Sequence, residues 1–166
     1  MKIGFTIGKF APLHKGHQYL IEKAIKEMDE FYVIVYETEV IDIPIEQRAN
    51  WIKELYPEVK ILLAKNPPSQ YGLDEESIKI QMDYLKNIIK NIPVTHFYNS
   101  EPYGRYVARD LDIEEVQVDR LRKKYAISGT NIRKNLNENK EYIEEIVYKE
   151  LNDRDVPNRS KEEQKG

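Results

Sequence analysis

His14-Lys15-Gly16-His17 sets two imidazoles three residues apart, directly after the apolar run Ile3-Gly4-Phe5-Thr6-Ile7-Gly8. Where such a run is a strand and the histidines open a helix, both rings stand on one side of the helix start. Imidazole N–H groups in that position can bridge the oxygens of one phosphoryl group and offset the charge that grows in its transition state. The helix start adds unpaired amides and a partial positive charge, and Gly16 lets backbone and ligand approach closely. A second anion-binding arrangement lies near the other end, in Ile127-Ser128-Gly129-Thr130-Asn131-Ile132-Arg133. There Ser128 and Thr130 can cap a helix and donate to phosphate, while Arg133 can fork onto phosphate oxygens.

Charge is distributed to match. Glu22 is the first acidic residue, so Lys9, His14, Lys15 and His17 lie in a stretch free of negative charge. From Arg120 to Lys134 the basic residues Arg120, Arg122, Lys123, Lys124, Arg133 and Lys134 again occur without Asp or Glu, although the chain as a whole has a net charge of -3. Two local cationic poles at strand-to-helix transitions suit a multiply charged ligand such as a triphosphate.

Each motif also has a plainer reading. The histidine pair could ligate a metal, but His96 is the one other histidine, no cysteine is present and no His-Glu-x-x-His pattern occurs. Taken alone, Ser128 to Arg133 is an ordinary N-capping turn with a solvent-facing arginine, and Arg120 to Lys124 a solvated face. Trp51 and Tyr84 read as core. Asp119, at a strand end, either holds a ribose or caps a turn. Gly-x-Gly-x-x-Gly after the first strand, the P-loop pattern and the Gly-x-Ser-x-Gly elbow are all missing, which disfavours dehydrogenase, P-loop kinase and acyl-transfer chemistry.

The elements that must position these residues alternate along the chain. Five β-rich apolar runs, Lys2 to Gly8, Phe31 to Glu37, Val59 to Ala64, Val94 to Tyr98 and Glu115 to Asp119, read as strands. Helical periodicity falls between them, at Leu20, Ile21, Ala24, Ile25 and Met28, at Ile45, Ala49 and Ile52, at Ile78, Met82, Leu85 and Ile89, and at Val107 and Leu111. This pattern predicts an α/β fold, a Rossmann-like, doubly wound parallel five-stranded sheet with helices on both faces, in a single domain over residues 1–151. Ligands of such sheets sit beyond the carboxyl ends of the strands, which is where His14 falls. A closing helix is expected over about Lys140 to Leu151. Residues 152–166 hold one aliphatic residue, Val156, and are expected to be a disordered tail. Asn66 to Gly72 reads as a loop long enough to overhang a site.

The 166 residues, 40% hydrophobic and 33% charged, suffice for one real core. Composition predicts a cytoplasmic protein without a disulfide framework, signal peptide or membrane span, and gives no reason to expect nucleic acid or membrane as a partner. A homo-oligomer is compatible with it.

Gly8-Lys9-Phe10-Ala11-Pro12-Leu13-His14-Lys15-Gly16-His17 together with Ile127 to Arg133 resembles the nucleotidyltransferase superfamily marked by His-x-Gly-His and Ser-Ser/Gly-Thr-x-x-Arg motifs. Within it, Lys9 to Pro12, Ser100-Glu101-Pro102-Tyr103-Gly104 and Val118-Asp119 are similar to nicotinamide mononucleotide adenylyltransferases, most of all the adenylyltransferase domain of bacterial bifunctional NAD-biosynthesis regulators, over about residues 2 to 150. The resemblance implies transfer of AMP from ATP to the phosphate of nicotinamide mononucleotide, with Mg²⁺ bound through the ATP phosphates and not by protein side chains. It implies catalytic roles for His14, His17, Lys9 and Arg133, and ATP contacts from Gly8, Phe10, Ala11, Gly16, Ser128, Gly129 and Thr130. Glu101, Tyr103, Asp119 and Tyr142 are the implied acceptor contacts. One departure bears on the acceptor: a tryptophan that commonly follows the second motif is absent, and Tyr142 either replaces it or marks a different acceptor. Rival readings are a pantetheine phosphate, flavin or alcohol-phosphate acceptor, CTP in place of ATP, and a nucleotide sensor without turnover.

Overall fold

The computed structural model describes residues 1–70, 72–101, 104–119, 124 and 127–154. Its elements run β1 (Ile3–Gly8), α1 (Lys15–Glu27), β2 (Glu30–Tyr36), α2 (Ile45–Leu55), β3 (Lys60–Ala64), α3 (Glu75–Ile88), β4 (His96–Asn99), α4 (Arg105–Leu111), β5 (Glu114–Gln117) and α5 (Gly129–Lys134). A short 3-10 turn (Lys140–Tyr142) and α6 (Glu145–Arg154) follow. The five strands form one parallel sheet in the order β3-β2-β1-β4-β5. After β3 the chain returns to the far side of β1, so the direction of winding reverses between β1 and β4, and a crevice opens there at the carboxyl edge.

Side-chain alternation assigns the two faces. In β2, Phe31, Val33 and Val35 pack with Leu20, Ile21 and Ala24 of α1, Trp51 and Ile52 of α2, Ile132 of α5 and Val147 and Leu151 of α6. Ile34 of the same strand joins Phe5, Phe97, Met82, Leu85, Val107 and Ala108 on the opposite face, under α3 and α4. Helices therefore cover both faces, as the alternating pattern predicts. Trp51 is fully buried and Tyr84 packs at the edge of the second cluster, so both belong to the core.

The differences from expectation are local. β5 ends at Gln117, short of Asp119, because Asp119 adopts a left-handed backbone with φ 48° and turns the chain. β4 starts at His96, after Thr95 N–H has been taken by the Ile3 carbonyl. The segment from Lys140 is not one helix: Ile143 is extended, which separates the 3-10 turn from α6. Helix α6 continues to Arg154, so residues 152–154 are helical where a tail was expected, because Leu151 seats that last turn in the core. Residues 155–166 lie outside the described part of the chain.

Glu144 explains the break. Its carboxylate accepts from Lys15 Nζ and, at 3.0 Å, from Gln18 Nε2, tying the start of α6 to the first turns of α1. Lys15, grouped by sequence with the cationic pole, is therefore neutralised by this pair. The hydrogen bonds from Lys15 and then Gln18 hold the Glu144 carboxyl below the ordinary carboxylate range. A lowered carboxylate pKa contributes stability that is full above the unfolded-state value of 4.5 and is lost as pH falls through the folded-state value. Taking the protein from about pH 6 to about pH 3.5 should consequently lower its melting temperature more than that of Glu144→Gln; equal slopes in thermal denaturation would remove this role from Glu144.

Candidate active site

β1 delivers the chain to the crevice, and His14 begins α1 as its N-cap, with φ -139° and ψ 174°. The His14 Nδ1 accepts from the Gly16 N–H at 3.1 Å and the His17 N–H at 3.4 Å, while the His14 N–H donates to His17 Nδ1 at 3.1 Å. The pair forms a reciprocal capping box in which imidazoles take the places usually held by a hydroxyl and a carboxylate. An Nδ1 that accepts is unprotonated, so in the neutral rings the hydrogen sits on Nε2. Capping thus sets the tautomer and orientation of both rings, which stack with centroids 3.7 Å apart. Gly16 is required by the same geometry: a Cβ there would lie 2.9 Å from His14 Cε1. What approaches Gly16 closely is the catalytic-candidate ring itself.

Phe10 has a left-handed backbone (φ 49°) and packs its ring edge-on against His17, with centroids 4.7 Å apart. It is buried, so its described contact is support of His17; Gly8, at the end of β1, lies under the same ring, where a Cβ would meet it at 3.2 Å.

Residues 127–133 close on this loop from across the fold. Arg133 Nη1 donates to the Ala11 carbonyl and Nη2 to Thr130 Oγ1 at 3.2 Å. A Cβ on Gly129 would stand 2.9 Å from the Ala11 oxygen, so only glycine lets α5 come this near. Ser128 Oγ caps α5 by accepting the Asn131 N–H at 3.2 Å. The capping turn is thus real, but Arg133 is half-buried against the Ala11 carbonyl; burial lowers its pKa from the ordinary guanidinium value. Its two described contacts use two of five N–H donors.

One cavity of about 780 Å³ runs along this edge. Lys9, His14, His17, Arg133, Gly8, Phe10, Ala11, Gly16, Ser128, Gly129 and Thr130 all line it, as do Glu101 and Asp119. The histidine motif and the Ser128–Arg133 motif therefore meet in one place. Asp119 caps a turn, its carboxylate accepting the Lys124 N–H at 2.9 and 3.0 Å, while also facing the cleft. Tyr103, Arg120, Arg122 and Lys123 lie outside the described residues. Tyr142 is not brought to the cavity: its 3-10 turn packs it against the core near α6.

Further lining residues have no motif to announce them. Tyr36, Val40, Leu73, Gln81, Tyr106 and Val107 also line the cavity. Among the described residues the exposed large hydrophobics are Met1, Val40 and Leu73, and two of the three stand on the cavity rim. A valine and a leucine in otherwise polar loops were the available signal. Burial pushes the Tyr36 phenol well above its ordinary pKa, so it stays protonated. Asn99 holds the Glu101 loop, its Oδ1 accepting the Glu101 N–H at 2.9 Å. Among the described residues no group of three or more His, Cys, Asp or Glu side chains could hold a metal ion, and no helix is long and apolar enough to cross a membrane.

A parallel sheet of this topology, with a histidine-capped helix and an arginine helix converging at its switch point, defines a Rossmann-like nucleotide-site architecture. The citrate lyase ligase C-terminal domain family matches residues 4–71. Phosphopantetheine adenylyltransferase of Mycoplasma capricolum is 35% identical over 136 residues, covering 68% of this chain and 97% of that enzyme. The trifunctional NAD biosynthesis/regulator protein NadR of Escherichia coli K12 is 30% identical over 159 residues, 85% of this chain and 38% of that protein, so the chain spans well under half of its NadR relative. The chain belongs to the same nucleotidyltransferase family as these proteins. A crystal structure of NadR with NAD and AMP-PNP shares the fold, with a TM-score of 0.61 at 24% identity over 86% of this chain and 44% of the other. A putative nicotinate-nucleotide adenylyltransferase from Vibrio parahaemolyticus does so at 0.61 and 18% identity, covering 91% and 99% of the two chains.

In a helix, Gly→Ala ordinarily gains up to about 1 kcal/mol. Gly16→Ala should reverse that sign and cost about 1 kcal/mol or more, because the new methyl displaces the His14 cap. Chemical denaturation measures it; a variant more stable than the parent would contradict the capping geometry.

Proposed function

We propose that this chain transfers AMP from ATP to the phosphate of nicotinamide mononucleotide, releasing pyrophosphate and forming NAD. The convergence of the histidine pair and the Ser128–Arg133 segment on one cavity carries this reading. An acceptor phosphate oxygen attacks the α-phosphorus of ATP, a new P–O bond forms, and the bond to the β-phosphate bridging oxygen breaks with its electron pair leaving on pyrophosphate. A phosphomonoester is already anionic near neutral pH, its second pKa being about 6, so no strong general base is required. What the protein supplies is position and charge stabilisation. His14 and His17, as Nε2–H donors, serve the non-bridging oxygens of the transferring group; Lys9 neutralises charge at the rim; Ser128, Thr130 and Arg133 hold the β and γ phosphates. Magnesium would enter as part of the substrate, MgATP, held through the ATP phosphates.

In-line displacement puts nucleophile and leaving group on opposite sides of the α-phosphorus. With pyrophosphate toward α5 and the histidines at the α-phosphorus, we assign the acceptor to the side of the cavity that Val40 and Leu73 border. Its ring then meets Tyr36, Val40, Leu73 and Gln81. On this reading Glu101 and Asp119, which line the same cavity, are assigned to the nucleoside of ATP, and residues that no motif singled out are assigned to the acceptor ring. Loop 37–44 holds Glu37, Glu39 and Asp42 without a Lys or Arg, which favours a cationic pyridinium over an acceptor with a further anionic group. The NadR likeness over 85% of this chain supports the nicotinamide acceptor. Pantetheine phosphate is the second reading, favoured by the 35% identity that spans nearly the whole of the Mycoplasma enzyme.

Pyrophosphate release should require both ATP and nicotinamide mononucleotide, with pantetheine phosphate, nicotinate mononucleotide and CTP as comparison substrates. Release with pantetheine phosphate alone selects the second reading, and nucleotide binding without any release leaves a sensor. His17→Ala should lower kcat by about 100-fold to 1000-fold with the fold retained, and His17→Asn, which keeps an acceptor for the His14 N–H, should lose similar activity at smaller cost in stability. Leu73→Ser should raise the acceptor KM by about tenfold with the ATP KM unchanged, as read from initial rates.

A further inference from the structure

Arg48, on α2, is 1% exposed, the most buried charged side chain among the described residues. Among the described residues no carboxylate lies within salt-bridge distance of it, Glu37 and Glu46 acting on its charge only from farther off, and its hydrogen bonds all go to backbone carbonyls. Nε donates to the Ile43 oxygen at 3.1 Å, and Nη1 donates to Tyr36 O at 3.1 Å and to Lys9 O. A buried cation satisfied only by carbonyls is costly where an apolar residue of similar volume would pack, so its presence calls for a positional reason. The Lys9 carbonyl immediately precedes Phe10, and the Ala11 carbonyl, which follows Phe10, is held by Arg133. Two arginines, from α2 and α5, thus grip the carbonyls on either side of a left-handed residue that carries a Cβ. Such a backbone persists only where its surroundings over-determine it. Its product is the seating of the Phe10 ring against His17.

We infer that Arg48 is a positioning residue: with Arg133 it clamps the two carbonyls flanking Phe10, and through the Phe10 ring it holds His17 in the orientation in which Nδ1 accepts the His14 N–H, the bond that sets its tautomer. The clamp ties three segments, the β1–α1 loop, the end of β2 and loop 37–44, to one side chain. It touches no phosphate. Its kinetic consequence rests on the adenylyl-transfer reading above, whereas its effect on the imidazole does not.

The test uses the 166-residue chain without ligand, with histidine imidazole nitrogens observed by ¹⁵N NMR. In the parent, His17 should give the signature of a single neutral tautomer with Nδ1 unprotonated. Arg48→Met should shift that signature toward a tautomer mixture or broaden it, and Arg48→Lys, which keeps the charge but reaches fewer carbonyls, should fall between. Phe10→Leu leaves Arg48 and its carbonyls in place yet removes the ring edge, so it should reproduce the His17 change even where an Arg48 variant fails to fold. In initial-rate assays Arg48→Lys should lower kcat by about tenfold or more with the KM for ATP nearly unchanged. A parent-like His17 spectrum in a folded Arg48 variant, or in Phe10→Leu, would overturn the inference, as would a loss of melting temperature with kcat intact. A parent chain without transferase activity would count against the proposed function alone, since the imidazole signature is read without turnover.

Discussion

The reciprocal cap between His14 and His17 is the interaction on which the rest of the site depends. A helix start needs acceptors for its orphan amides, and here the two imidazoles provide them through Nδ1. That local requirement converts two flexible titratable side chains into a stacked pair with defined tautomers. Gly16 follows from it, because the His14 ring occupies the space a side chain would need. The first turn of α1 must in turn be held in place, and the Lys15–Glu144 pair and the Gln18 amide anchor it to α6. Structural and chemical demands thus fall on the same few atoms.

A second constraint joins the two motifs. The Ala11 carbonyl receives Arg133 from 122 residues away, and Gly129 lies close enough to that oxygen to exclude any side chain. Ile127 also approaches Gly16 from the α5 side. A chain with net charge -3 can therefore gather Lys9, Arg133, both imidazoles and the hydroxyls of Ser128 and Thr130 from its two ends around one cavity, which Glu101 and Asp119 also line. The apolar flank formed by Val40, Leu73 and Tyr36 gives the cavity a second character, suited to the uncharged or ring portion of a substrate.

Much of this was legible along the chain because the relevant physics is local. Phe31, Val33 and Val35 against Tyr32, Ile34 and Tyr36 mark a strand buried on both faces, and Met82 and Leu85 mark the inner face of α3. Ser128 caps α5 as its type and position suggest. Where expectation failed, a distant contact had intervened. Lys15 looked like part of a cationic pole until Glu144 arrived from the start of α6. Tyr142 looked available as an aromatic platform, but the extended backbone at Ile143 turns its segment toward the core. Asp119 had two readings, and its left-handed backbone lets its carboxylate cap a turn beside the cleft, a dual position no composition rule specifies.

The sequence by itself determined the alternation of strands and helices, the two faces of the sheet and the identity of both anion-binding motifs. Periodicity, capping preference and spacing all act within a few residues. Only the tertiary structure decided that the motifs share one cavity, that Arg133 turns inward to the Ala11 carbonyl, and that Val40 and Leu73 border the site. It alone revealed Arg48, an arginine among ordinary helix residues whose three carbonyl partners come from separate segments of chain. Such contacts depend on which backbone atoms the fold brings within about 3 Å of a buried donor. That proximity belongs to the packed molecule, because no local pattern encodes the distance between residues so far apart in sequence.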